Sequence, residues 1–102
     1  AKAWINFDGT ASGAAARGSL NLASMTDSGT GIYVCNLTSA FANTNDCAAT
    51  SSASASTSGS DNRNISTTIT GASAIDNRTS NASSGAVVDT SVNNVSAHGD
   101  LA

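Results

Sequence analysis

The chain has 102 residues, the length of one ordinary domain, and no proline-rich linker or block of like charge divides it, so residues 1–102 are read as a single β domain. Four basic residues, Lys2, Arg17, Arg63 and Arg78, stand against seven aspartates and no glutamate; with a net charge of −3 and no basic stripe carrying aromatics, nucleic acid is not an expected partner. No apolar run approaches the roughly 20 residues of a spanning helix, so membrane insertion is not expected either.

No basic segment leading into an apolar targeting core is visible, and the chain opens on Ala1 without Met, which fits a processed product or a piece of a longer polypeptide. Glutamate, glutamine and proline are missing and lysine occurs once, while serine, threonine, asparagine and glycine are frequent. Such a composition propagates helices poorly. Turn-forming clusters recur at Asp8-Gly9, Asp27 to Gly31, Asn43 to Asp46, Ser58 to Asn64, Asp76 to Asn81 and Ser83 to Gly85. Short strands between them predict an all-β fold, a small antiparallel β-sandwich or barrel. Aromatics make up only 4% of the residues, so the core is thin and oligomerisation is expected to supply missing burial.

In chain order, Ala3 to Phe7 reads as a first strand with Trp4 and Asn6 on one face and Ala3, Ile5 and Phe7 on the other. Trp4 is assigned to the core rather than to a sugar-stacking platform, because so much of the scarce apolar area lies beside it. Residues 10–19 are small and permissive. Leu20, Leu22 and Ser24 then alternate into the first arm of a hairpin over Ser24 to Leu37. Its turn draws on Asp27, Ser28, Gly29, Thr30 and Gly31. In its second arm Tyr33, Cys35 and Leu37 share one face, with Ile32, Val34 and Asn36 opposite, and both faces call for burial or a subunit contact.

Cys35 and Cys47 form a candidate disulfide if the strand ending at Leu37 and a strand over Asp46 to Ala53 are antiparallel neighbours; two small buried free thiols are the equal alternative in a reducing cytosol. Two cysteines and the distant His98 do not make a closed metal site, and no cofactor is expected. The Ala/Ser tract over residues 48–60 reads as a strand with a close-packed small-residue face in preference to disorder. Ile65, Thr67 and Ile69 alternate as a half-buried strand. On its two sides Asp61-Asn62-Arg63 and Asp76-Asn77-Arg78 echo each other, either as paired receptor-facing loops or as turn chemistry with a solvated arginine. Val87, Val88, Val92 and Val95 supply one or two last strands. Asn36, Asn64, Asn77, Asn81 and Asn94 each begin an N-x-Ser/Thr pattern, which a Ser/Thr-rich chain produces by chance.

Three segments together carry a family likeness. Ala1-Lys2-Ala3-Trp4-Ile5-Asn6-Phe7-Asp8-Gly9-Thr10, Arg17-Gly18-Ser19-Leu20-Asn21-Leu22 and Met25-Thr26-Asp27-Ser28-Gly29-Thr30-Gly31-Ile32-Tyr33 resemble a small C-terminal domain of bacteriophage tail-fibre and related virion appendage proteins. That family shows a K-A-W-V-N-F-N-G-T opening, an R-x-S-x-N-V segment and an I-T-D-N-G-T-G-x-Y hairpin, and its Phe-Gly-Asp ending is similar to His98-Gly99-Asp100. The likeness covers about the first 45 residues and loosely the last dozen. Cys35, Leu37 and His98 depart from its usual residues.

The resemblance implies a non-enzymatic virion module, made in the bacterial cytoplasm, whose partners are two further copies in a homotrimer, other virion proteins and a host cell-surface glycan or protein. A capsid decoration or head-fibre protein that stabilises the particle is the structural alternative. Asp27-Ser28-Gly29-Thr30 also matches the D-[ST]-G-[ST] signature of dimeric retropepsin-like aspartic proteases, which need two facing carboxylates buried behind an apolar strand. Ser24-Met25-Thr26 does not supply that strand, and Gly31 runs straight on into the hairpin.

Overall fold

In the central strands of each sheet the period-two alternation decides what is buried. A computed structural model describes residues 1–54, 63–82 and 84–102. β1 (Ala3–Asp8) turns Ala3, Ile5 and Phe7 inward, and β4 (Ile32–Leu37) does the same with Tyr33, Cys35 and Leu37. β2 (Ala15–Leu20), β3 (Leu22–Gly29), β5 (Ala48–Ser54), β6 (Arg63–Gly71), β7 (Ala74–Asn81) and β8 (Val92–His98) complete the set. They form two four-stranded antiparallel sheets, in the orders β2-β1-β8-β5 and β3-β4-β7-β6, packed face to face as a small β-sandwich.

The expected hairpin is β3-β4, with Thr30 and Gly31 at its tip and Asp27 opposite Tyr33. Its first arm starts at Leu22, because Leu20 ends β2 in the other sheet. Between them Asn21 adopts a left-handed conformation (φ 64°), allowing the chain to change sheets across one residue. The Asn21 side chain holds this corner, donating to Ser39 O (2.9 Å) and accepting from Ser39 N (2.7 Å).

Ile5 and Phe7 from one sheet meet Tyr33, Cys35 and Ile75 from the other, with Val95, Ala97, Phe41 and Ala14 filling the remaining interior. Phe7 and Tyr33 pack edge to face, their ring centroids 5.2 Å apart. The small-residue tract does form a strand as far as Ser54, and Ala49, Ser51 and Ala53 are half-buried on its inner side. Its remainder, residues 55–60, lies outside the described residues.

Two expectations are corrected and one strand is added. Trp4 is not core: Ile5 and Phe7 claim the interior, and the alternate position of Trp4 leaves it 43% exposed. Residues 10–19 contain most of β2, an edge strand of mostly exposed side chains that carries no apolar rhythm. Asp76 to Asn81 is not a turn but most of β7, a central strand between β4 and β6.

Candidate functional site

Tyr33 reaches from the middle of the sandwich to one end of it. Its hydroxyl donates to Asp89 Oδ1 (2.9 Å), accepts from Thr90 N (3.3 Å) and lies 3.2 Å from Gly9 O. Asp89 Oδ1 also accepts from Gly31 N (2.8 Å), and Gly9 N donates to Thr90 O (2.9 Å). This knot ties the β1 end, the hairpin tip and the segment before β8 together. No side chain fits at either glycine: a Cβ on Gly9 would sit 2.3 Å from the Tyr33 hydroxyl oxygen, and one on Gly31 (φ 70°) 2.6 Å from Thr79 O. Burial pushes the Tyr33 phenol up to about 12, the Thr90 amide opposing this and the neighbouring Asp89 carboxylate adding to it.

A second polar group lies inside the sandwich. Asn77 is fully buried, donating to Ile75 O (3.2 Å) and more weakly to Cys35 Sγ (3.5 Å). The Thr67 hydroxyl lies 3.0 Å from Asn77 Oδ1 and 2.6 Å from Ser51 Oγ. A hydroxyl has one proton, so Thr67 donates to one of these two oxygens at a time, and its contacts cross from one sheet to the other. Burial drives the Cys35 thiol up to about 12, with the Asn77 contact acting the other way.

These positions revise the sequence-derived sites. Asp76-Asn77-Arg78 is not a receptor-facing loop: Asn77 is core, and Asp76 and Arg78 pair with each other (3.5 Å) on the outer face of β7. Of the echoing triplet, Asp61 and Asn62 lie outside the described residues, while Arg63 starts β6 opposite Asn81, at the far end of the ladder from the 71–74 turn. The ladder that would join Cys35 to Cys47 does not form, because β4 pairs with β3 and β7 whereas β5 lies beside β8 in the other sheet. Both thiols are free, Cys35 buried and Cys47 partly exposed. Asp27 is exposed on the edge strand β3, where its carboxylate accepts from Gly29 N (3.2 Å). Exposed His98 ends β8, and no cluster of three metal-ligating side chains occurs among the described residues.

The most differentiated surface is the outer face of the β2-β1-β8-β5 sheet. Trp4 stands opposite Leu20 on β2 and Ser96 on β8, and Ser96 stands opposite Thr50 on β5. In the next row outward-facing Asn6 lies between Gly18 and Asn94, and Asn94 is opposite Ser52. Side chains link along both rows. Asn6 Nδ2 donates to Asn94 Oδ1, Asn94 Nδ2 to Ser52 Oγ (3.3 Å), and the Thr50 and Ser96 hydroxyls share a bond of 3.1 Å.

Arg17 closes one end of this face. It donates to Asn6 Oδ1 (3.4 Å) and Ser91 O (2.6 Å) and lies 3.5 Å from Asp8 Oδ2. Hydrogen bonds from the Thr10 hydroxyl and amide, with Arg17 adding to them, hold the Asp8 carboxyl below its usual range. Trp4, Asn6, Thr50, Ser52, Asn94 and Ser96 border a shallow depression of about 460 Å³. Nothing in the sequence placed Asn6 beside Asn94, since the pairing of β1 with β8 joins positions 88 residues apart.

Comparison of the chain with protein-family models, curated proteins and solved structures gives no match.

Proposed function

We propose that this chain is a non-enzymatic module of a bacteriophage tail fibre or similar virion appendage, acting in assembly and host-surface attachment as a homotrimer. The observation that supports this most is where the residues of the family likeness come together. Gly9 belongs to the opening K-A-W-type segment and Gly31 and Tyr33 to the T-D-x-G-T-G-x-Y-type hairpin. Far apart in sequence, they meet in one buried knot in which a Cβ at either glycine would collide. The shared pattern thus has a folding reason that acts as a unit. Asp27 has a role in the same setting, shaping the bulge before Gly29 at the hairpin tip.

A trimer presents each surface three times, so contacts that are weak singly become tight on a surface bearing many copies of the receptor. Adsorption competition tests the attachment role. Soluble protein should lower the adsorption of a phage carrying this chain to its host in a dose-dependent way. Unchanged adsorption at saturating protein contradicts attachment and favours a decoration protein that only stabilises the particle.

A further inference from the structure

We infer that the outer face of the β2-β1-β8-β5 sheet is a binding site for a neutral carbohydrate, centred on Trp4, Asn6 and Asn94. The inference deepens the attachment reading above by naming the surface and the ligand class. Its first support is the exposure of the chain's single tryptophan on a sheet face whose other side already holds Ile5 and Phe7. An indole left in water beside a hydroxyl- and amide-rich surface suits a partner that is apolar on one side and polar at its edges. A pyranose ring is such a partner, with C–H groups on its face and hydroxyls around its rim.

The second support is the hydrogen-bonding capacity that remains after the internal bonds are made. Each primary amide has two N–H donors and an oxygen with two lone pairs. Asn6 spends one N–H on Asn94, and Asn94 spends one on Ser52, so each amide keeps one donor for a ligand. Thr50 and Ser96 share one hydroxyl proton between them and keep the other. Donors and acceptors therefore alternate across neighbouring strands about 4.8 Å apart, held in place by one another and by Arg17 at the end of the row. Sugar hydroxyls, which both donate and accept, match that mixture.

The third support is charge. The residues lining the depression are all neutral, and Arg17, at the end of the Asn6 row, lies 3.5 Å from Asp8. No charged side chain lines the depression to compensate a phosphate, carboxylate or sulfate, which favours a neutral ligand. Its volume of about 460 Å³ falls inside the roughly 300–1,000 Å³ of small-ligand sites. Because it is shallow and open, the affinity for a single copy is weak, with Kd in the millimolar range.

Trp4 is the only tryptophan, so its fluorescence reports directly on the site. The test is titration of the full chain with soluble gluco-, manno-, galacto- and N-acetylglucosamine oligosaccharides, with oligogalacturonate as the anionic control. At least one neutral class should give a saturable change in Trp4 emission, and Asn94→Ala should weaken it about tenfold while keeping the wild-type melting temperature. Ser96→Ala, a smaller change on the same face, should weaken it to a lesser degree. The site is overturned if no neutral class gives a saturable change, if only oligogalacturonate does, or if folded Asn94→Ala binds like the wild type. Failure of the attachment reading is distinguishable: saccharide binding without adsorption competition keeps the site and removes the attachment role, and the converse removes the site alone.

Discussion

Two glycines with similar backbone angles separate conformational strain from steric collision. Gly13 (φ 75°) and Gly31 (φ 70°) are both left-handed, but a Cβ at Gly13 meets nothing within 4 Å, whereas one at Gly31 meets Thr79 O at 2.6 Å and Val88 N at 3.0 Å. Gly13→Ala should cost about 1–2 kcal/mol, the strain of a left-handed non-glycine residue. Gly31→Ala adds an overpacking cost of about 1–3 kcal/mol, and chemical denaturation of the two variants measures the difference. Tyr33→Phe keeps the packing against Phe7 but leaves Thr90 N without its acceptor and removes one donor from Asp89. It should lose about 1–3 kcal/mol. The two thiols differ by burial, so alkylation of the native protein followed by mass spectrometry should modify Cys47 alone, and Cys35 should react only in denaturant.

At the scale of strands, β4 places two buried weak acids side by side on one inner face. Tyr33 rises from 10.0 to about 12 and Cys35 from 9.0 to about 12, both chiefly because burial penalises the ionised form. Each group holds its proton more tightly when folded, so the stability it contributes is complete below the unfolded value and declines as pH rises towards the folded one. The melting temperature should therefore begin to fall near pH 9, where unfolded Cys35 starts to ionise. It should keep falling towards pH 12, and Cys35→Ala should move the onset to near pH 10, the ordinary value for tyrosine. An onset unchanged by Cys35→Ala would contradict this assignment. Elements with local signals were legible in the sequence: the β3-β4 hairpin from its turn residues and its Tyr33-Cys35-Leu37 face, β1 from its alternation, and β6 from Ile65 and Ile69.

Elements that depend on distant partners were not. Asn77 reads as turn chemistry because asparagine and aspartate favour turns, yet Thr67, Ile75 and Cys35 satisfy it inside a sheet. Alternation showed that Trp4 and Ile5 face opposite ways without saying which way was in. The choice of which strands neighbour β1 and β5 settled both the exposure of Trp4 and the separation of Cys35 from Cys47 into different sheets. The same non-local pairing placed Asn6 beside Asn94 and so assembled the candidate site. Of its residues the sequence weighed only the tryptophan as a ligand contact, and then assigned it to the wrong face.

For the molecule as a whole, a thin core and a surface that also exposes Leu20, Val87 and Leu101 leave apolar area for contacts between copies. Leu20 and Leu101, together with Leu22 and Ala1, border an apolar depression of about 550 Å³ away from the Asn6-Asn94 row. The proposed trimer predicts three times the 10.0 kDa chain mass in native mass spectrometry at micromolar concentration, and a monomer would contradict it. The central claim is that this chain sits on the attachment apparatus of a virion. Electron microscopy of intact phage particles labelled with gold-conjugated antibody against this domain tests it most directly. The account predicts label at the distal ends of the tail appendages, and label spread over the capsid, or particles left unlabelled, would contradict it.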